Sequence, residues 1–393
     1  MASSPIPTSK KILYSGITIV VLLLIVEGIS RAFYYQQLSP HPVAAIQLIK
    51  DVRDGIRKRL STDTSRQRLQ KSQYRVRPGW SKADNDEIVR DIADANAAVY
   101  EPWVEFTFRD IRSRFVNVTG HVRRSIPDLS DSTASDSPAA GSPATVGSPA
   151  TKPLRIFFLG GSTTYGFNVT DSETIPSCFI RAYRQKYPGG RAIRAVNLAM
   201  PSYYSYQELI LLADKIFRDD KPDMVIMLDG LNDVFQANAS YLRAPVYTPG
   251  IGGQIHPVSG DNRLRLPNFF DLPSGMSEDS ACRAIYQHYI GTIRHAKELA
   301  AASSIPLYCF WQPVPYYNYT NRAGDPNCTQ TPLKRFGIIY PLVKKSAGEI
   351  PYLFFLGDML QDEKGLPFID QIHYSPDFNR AIAQKMLEQI PFK

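Results

Sequence analysis

Three groups of polar residues, far apart in the chain, have the types and spacing that acyl transfer requires. Gly160-Gly-Ser162-Thr-Thr-Tyr-Gly166 puts a serine directly after two glycines, Gly230-Leu-Asn232-Asp233 offers a carboxamide, and Asp370-Gln-Ile-His373 sets a carboxylate three residues ahead of a histidine. On a turn, that last spacing lets Asp370 accept a hydrogen bond from Nδ1–H of His373, leaving Nε2 to take a proton from Ser162. The chemistry this points to is a serine nucleophile with a histidine base and an orienting aspartate. Two rival readings of the glycine-rich stretch fail. It contains neither Gly-Lys-Ser/Thr nor G-x-G-x-x-G to cradle phosphate, and Thr164 stands where the G-x-S-x-G elbow requires glycine. A serine after glycines is, without company, more often a helix cap; Asn232, Asp370 and His373 favour the nucleophile. His288 and His295 fall on a helical pattern and read as surface or core histidines, and Asp233 reads as a cap of the following helix.

Each polar group needs an element that aims it. The apolar runs Leu154–Leu159, Ala192–Asn197, Met224–Leu228, Ile305–Phe310 and Tyr352–Leu356 read as buried strands. Helical periodicity marks Thr174–Tyr187, Tyr206–Arg218, Ser280–Ala301, Leu333–Ser346 and Pro376–Gln389, the last with Ser375 as N-cap and Pro376 in the first turn. Such β-α repetition implies a parallel sheet with helices on both faces, which binds ligands beyond the carboxyl ends of its strands. Ser162, the Ala199 backbone and Asn232 follow three of those ends and are expected to converge.

On these residues the chain resembles the SGNH hydrolases, the GDSL-type esterase and lipase superfamily. Gly160 to Gly166 matches the first block, with Gly161 where the family often has aspartate. Asn197-Leu-Ala199 resembles the second, with alanine in a glycine position; Gly230 to Asp233 matches the third and Asp370 to His373 the last. The resemblance runs from about Leu154 to the C-terminus, and the aromatic, Asn-Val and Arg124 pattern upstream looks like the N-terminal strands of membrane-anchored bacterial members. It implies a three-layer α/β/α, flavodoxin-like fold and catalysis by Ser162, His373 and Asp370. The implied oxyanion hole is made of the Ser162 and Ala199 backbone N–H groups and the Asn232 side chain. The implied activity is hydrolysis of carboxylic esters, O-acetyl groups on glycans among them. Its variants are an extracytoplasmic O-acyltransferase with the same residues and a catalytically silent binding or assembly module. No cofactor or metal is implied.

The remaining segments read as appendages. Lys10 and Lys11 precede an uncharged run, Ile12 to Val26, somewhat short of the roughly 20 residues of a spanning helix but extended by Gly28, Ile29 and the aromatic group at 33–35. Residues 1–35 are therefore expected to be an uncleaved anchor, with a cleaved signal peptide as the rival and the catalytic part outside the cytoplasm in either case. Residues 36–127 form an accessory segment: a charged, partly helical stretch, then two alternating runs, Trp103–Phe108 and Phe115–Thr119, expected as two strands joined by a turn. Residues 128–153, rich in Ser, Pro, Ala and Gly, read as a flexible linker or insertion, and 154–393 as the hydrolase domain. The stretch Ser240–Glu278 is a candidate lid, and Tyr316, Tyr317 and Tyr319 are candidates to stack on a sugar or pack.

Composition sets the outer bounds. Of 393 residues, 44% are hydrophobic, enough for a sizeable core, and the formal charge of +8 is concentrated around Arg53–Arg59 and Arg66–Arg77, away from the motifs. Nucleic acid is not an expected partner; an ester substrate and the membrane are. The four cysteines fit no zinc site, and Cys282 and Cys328 could pair in an oxidising compartment. Asn-x-Ser/Thr sequons occur at Asn117, Asn168, Asn238, Asn318 and Asn327. The sequence is silent on oligomeric state.

Overall fold

The structure is a computed structural model that describes residues 80–95, 98–101, 104–126, 152–236, 247–249, 255–257, 276–328 and 334–392. The anchor, linker and most of the candidate lid lie outside them. Among the described residues, no helix is long and apolar enough to cross a membrane.

The described elements begin with helix α1 (Lys82–Ala95) and strands β1 (Ala98–Glu101), β2 (Glu105–Phe108), β3 (Ile111–Arg112), β4 (Asn117–Thr119) and β5 (Val122–Arg123). After the linker come β6 (Leu154–Gly160), α2 (Ser162–Tyr165), α3 (Ile175–Lys186), β7 (Ile193–Asn197), α4 (Ser205–Phe217), β8 (Met224–Asp229) and α5 (Leu231–Gln236). The hairpin β9 (Tyr247–Pro249) and β10 (Ile255–Pro257) precedes α6 (Glu278–Ala302), β11 (Leu307–Trp311), α7 (Lys334–Ala347), β12 (Leu353–Phe355) and α8 (Pro376–Gln389).

The central sheet runs β12-β11-β8-β6-β7-β5-β4-β3. Its five long-range strands, β7-β6-β8-β11-β12, are mutually parallel. Counted in chain order they read 2-1-3-4-5, the doubly wound order whose direction of winding reverses between β6 and β8. In folds of this strand order the connections leave in opposite directions at the reversal, and ligands bind in the crevice beyond the strand ends. The sheet is not wholly parallel: β5 adds to the outer edge of β7 antiparallel, with Arg123 opposite Asn197, and β4 and β3 continue outward. The accessory segment thus covers an edge that would otherwise expose unpaired backbone. The other expected pairing differs as well, since β2 pairs with β1, not with the run at 115–119. Alternation marked both runs as strands, but it carries no information about the partner.

Successive side chains of β6 point to opposite faces. Ile156 and Phe158 pack with Phe179 of α3 and Ile382 of α8, whereas Phe157 and Leu159 pack with Leu212 of α4, Tyr289 and Ile293 of α6 and Tyr340 of α7. Burial on both sides explains why the strands read as continuous apolar runs. Cys282 lies in the second of these cores and Cys328 in the first, and all four cysteines are free and buried, so the suggested disulfide is absent. Tyr316, Tyr317 and Tyr319 pack within the protein, against Phe336, Tyr340 and Phe368 respectively.

One buried pair stands out. Glu208 of α4 and Asp229 at the end of β8 are almost wholly buried, and apart from each other the described residues supply neither carboxyl with a donor. Burial pushes both carboxyls well above their ordinary range, and their mutual repulsion adds to it for Glu208, so the pair retains a proton. Because the folded values exceed the unfolded ones, stability from the neutral form is complete below the unfolded carboxylate range and declines as pH rises through the folded values. Glu208→Gln keeps the shape and offers Asp229 an N–H. It is expected to flatten this decline, raising the melting midpoint at pH 8 by roughly 2–4 °C per kcal/mol recovered, with little gain at pH 4. A variant equal to or below wild type at pH 8 contradicts the shared proton.

Candidate active site

Gly160 ends β6 at φ +153°, where an added Cβ would come within 2.3 Å of Thr164 Oγ1 and 2.9 Å of the Leu228 carbonyl. Only glycine allows so sharp a departure from the strand. The chain then makes the single helical turn α2, closed by the Tyr165 N–H on the Gly161 carbonyl and by Gly166 in the left-handed region at φ +86°. Gly161 is the N-cap and no side-chain cap bond is present, so the Ser162 hydroxyl does not serve as the helix cap. It instead lies 2.8 Å from Nε2 of His373.

His373 and Asp370 sit at the tip of a tight hairpin leading into α8. Phe368 and Tyr374 form an antiparallel bridge, the Ile369 N–H donates to the His373 carbonyl at 2.8 Å, and the Tyr374 hydroxyl donates to the Pro313 carbonyl at 2.5 Å. Ser375 then caps α8 by accepting from the Phe378 N–H. Nδ1 of His373 is 2.7 Å from Oδ2 of Asp370, while Oδ1 accepts from the backbone N–H groups of Ile372 at 2.9 Å and His373 at 2.8 Å. Burial opposes ionisation of Asp370. The facing imidazole and the two backbone donors outweigh it and hold the carboxyl below its ordinary range.

Asn232 stands two residues after Gly230, whose φ of +127° favours glycine and where an added Cβ would come within 3.0 Å of the Trp311 ring. Its Nδ2 donates to the Tyr203 carbonyl at 2.7 Å. A Cβ on Gly161 would fall 2.4 Å from that nitrogen, so the amide lies directly over the residue preceding Ser162. A side chain at position 161 would meet this amide, which glycine avoids. Asp233 lies inside the first turn of α5 and not at its cap position, and its carboxylate reaches two turns: Oδ1 accepts from the Ser205 hydroxyl at 2.5 Å and Oδ2 from the Gly230 N–H at 3.3 Å. The 203–205 and 230–233 turns are thereby laced together.

Ala199 follows β7, buried, and is not among the non-glycine residues with positive φ, so alanine costs no backbone strain there. Its N–H already donates to Oδ1 of Asn197 at 3.2 Å, and the Asn197 amide reaches the Thr164 carbonyl at 3.1 Å. Of the residues singled out from sequence, Ser162, His373 and Asp370 meet in one hydrogen-bonded line, Asn232 adjoins Gly161, and Ala199 has a protein acceptor at its N–H. His295 faces Glu298 on the exposed side of α6, and His288 lies against Tyr206.

Several contributors escaped the sequence reading. Phe167 lies against the His373 ring with centroids 4.6 Å apart, and the Asn168 amide donates to Oδ2 of Asp370. Asn168 is buried, so its sequon lies inside the protein. Upstream, the buried arginine is Arg123, not Arg124: its Nε is 2.8 Å from Oδ1 of Asp171, its Nη2 donates to the Val169 carbonyl at 3.0 Å, and its guanidinium lies over the Tyr165 ring. Asn117 adds two donors to Asp171. The one available signal was the period-two alternation of 115–119 ahead of a basic pair, which does not say which arginine points inward.

No protein-family model and no curated protein matches the sequence. Among solved structures, the chain is similar to a mutant of Axe2, an acetyl-xylooligosaccharide esterase from Geobacillus, at 17% identity and a TM-score of 0.39 over 61% of this chain and 95% of that one. It is also similar to a putative lipolytic protein of the G-D-S-L family from Desulfitobacterium hafniense, at 14% identity and a TM-score of 0.38 over 60% of this chain and 99% of that one. At these scores the functional reading rests on the geometry of the site itself.

Proposed function

We propose that the chain is a serine esterase of the SGNH type, with a flavodoxin-like α/β/α catalytic part. The observation that carries this reading is the line Asp370–His373–Ser162, with separations of 2.7 and 2.8 Å, at the point where the sheet reverses its winding. In the proposed reaction, Nε2 of His373 takes the Oγ proton as Ser162 attacks the ester carbonyl, and Asp370 stabilises the resulting imidazolium. The imidazolium returns the proton to the departing alcohol. Water, deprotonated by the same nitrogen, then releases the acid from the acyl-serine.

The charge that develops on the carbonyl oxygen needs donors held in advance. Ser162 N–H stands at the first helical position, where no intrahelical acceptor exists. The Asn232 amide, held by Tyr203, retains a second hydrogen for the oxyanion. The Ala199 N–H would have to leave or share Asn197, and its 3.2 Å bond is long enough to share. Asn232→Ala is expected to lower kcat toward p-nitrophenyl acetate by about 10²–10³ with KM little changed; a loss below threefold would remove Asn232 from the oxyanion site.

The apolar run at 12–26, preceded by lysines, supports a membrane-tethered enzyme whose catalytic part lies outside the cytoplasm. The test of the central reading is turnover of p-nitrophenyl acetate by the full-length chain together with labelling by a fluorophosphonate. Turnover and a single label on Ser162 are expected. A chain that neither turns over nor labels is the silent module instead.

A further inference from the structure

The chain leaves α2 through Gly166 and places two successive side chains on the proposed triad. Phe167 covers one face of the His373 ring, and Asn168, at φ +65°, turns its amide onto Asp370. The oxygen it reaches, Oδ2, is the one that accepts from His373 Nδ1; Oδ1 is occupied by two backbone donors. The carboxylate is thus gripped at both oxygens, and among the described residues Asn168 is the one from outside the Asp370–His373 hairpin that fixes the oxygen facing the imidazole. Its loop is in turn anchored by Arg123 on the Val169 carbonyl and on Asp171.

We propose that Asn168 is a positioning residue of the reaction, its side-chain amide setting Oδ2 of Asp370 and through it the tautomer and tilt of His373. The proposal rests on the esterase reading above. It also gives the left-handed backbone at this position a purpose: asparagine adopts it more readily than most residues, and from it the short amide reaches the carboxylate. Attachment of a glycan at the Asn168-Val-Thr170 sequon replaces an amide hydrogen and cannot be accommodated in the buried site, so the active protein carries this asparagine unmodified.

Two substitutions separate the amide from the backbone. Asn168→Gly keeps the positive φ and deletes the donor; Asn168→Asp keeps the φ and the shape but sets an acceptor against Oδ2. With p-nitrophenyl acetate, Asn168→Gly is expected to lower kcat about tenfold with KM within twofold. Asn168→Asp is expected to lower kcat by about 10²-fold at pH 8 and to recover relative to wild type toward pH 5, where the introduced carboxyl is protonated and donates again. The other charged groups facing this carboxyl are Asp370 and His373 themselves, and the nearby Asp171 is paired with Arg123. The downfield proton resonance of His373 Nδ1–H reports the same geometry without turnover and should shift in both variants. An active wild type whose Asn168→Gly variant keeps kcat within twofold and leaves that resonance unmoved overturns the positioning role alone. A pH-independent ratio for Asn168→Asp does so as well. A wild type that neither turns over nor labels overturns the esterase reading, and the resonance still decides whether Asn168 sets His373.

Discussion

Ser162→Ala is expected to lower kcat toward p-nitrophenyl acetate by about 10⁶-fold and to abolish fluorophosphonate labelling. The expectation is large because, among the described residues, no other hydroxyl stands in the line of the base: Nε2 of His373 has Ser162 Oγ at 2.8 Å. It is also clean, because the substitution removes nothing that folds the chain. The N-cap of α2 is Gly161, the helix is closed by backbone bonds, and the adjacent Thr163 keeps its own bond to Gln312. Alanine suits a helical turn at least as well as serine does. The melting midpoint should therefore remain within about 1 °C of wild type while turnover vanishes. Persistent labelling in the variant would mean that a different nucleophile is being read.

Asp370→Asn is expected to cost about 10⁴ in kcat at neutral pH, with the fold intact. The carboxylate accepts at both oxygens and donates nowhere, so an amide cannot satisfy all its neighbours. With its oxygen toward the backbone N–H groups of Ile372 and His373, its NH2 faces Nδ1 of His373 and the amide of Asn168. The imidazole then accepts at Nδ1 and carries its proton on Nε2, the wrong tautomer to deprotonate Ser162. With the amide turned over, NH2 meets the two backbone donors and the hairpin itself is strained. Steady-state kinetics at pH 7–8, with circular dichroism to verify the fold, measure this; a loss below tenfold would show that Asp370 does not orient the base.

Much of this arrangement was legible in the sequence, for reasons that differ by residue. The strand β6 and helix α8 were readable because a doubly buried strand is an unbroken apolar run and a Ser-Pro start announces a helix. The Asp-x-x-His spacing was readable because three residues span one tight turn. What was hidden depends on contacts between distant segments. Asn168 looked like a sequon, since nothing local says that its amide meets a residue some two hundred positions later. Glu208 drew no attention in the sequence, because its burial against Asp229 emerges only once α4 lies on β8. The helices α2 and α5, four and six residues long, are too short to leave a period. Ala199 shows the opposite limit: its place near the strand ends was foreseeable, but the claim of Asn197 on its N–H was not.

The ion pair beneath α2 bears on where this chain can be cut. Excision at residue 154 would discard Arg123 and Asn117, and with them the ion pair and the two further donors that hold Asp171 in place. The casualty would be the loop from Gly166 to Asp171, which carries Phe167 and Asn168. A fragment beginning at residue 154 would keep every residue of the triad and still lose the scaffold that seats two of them. A trimmed protein should therefore begin no later than α1.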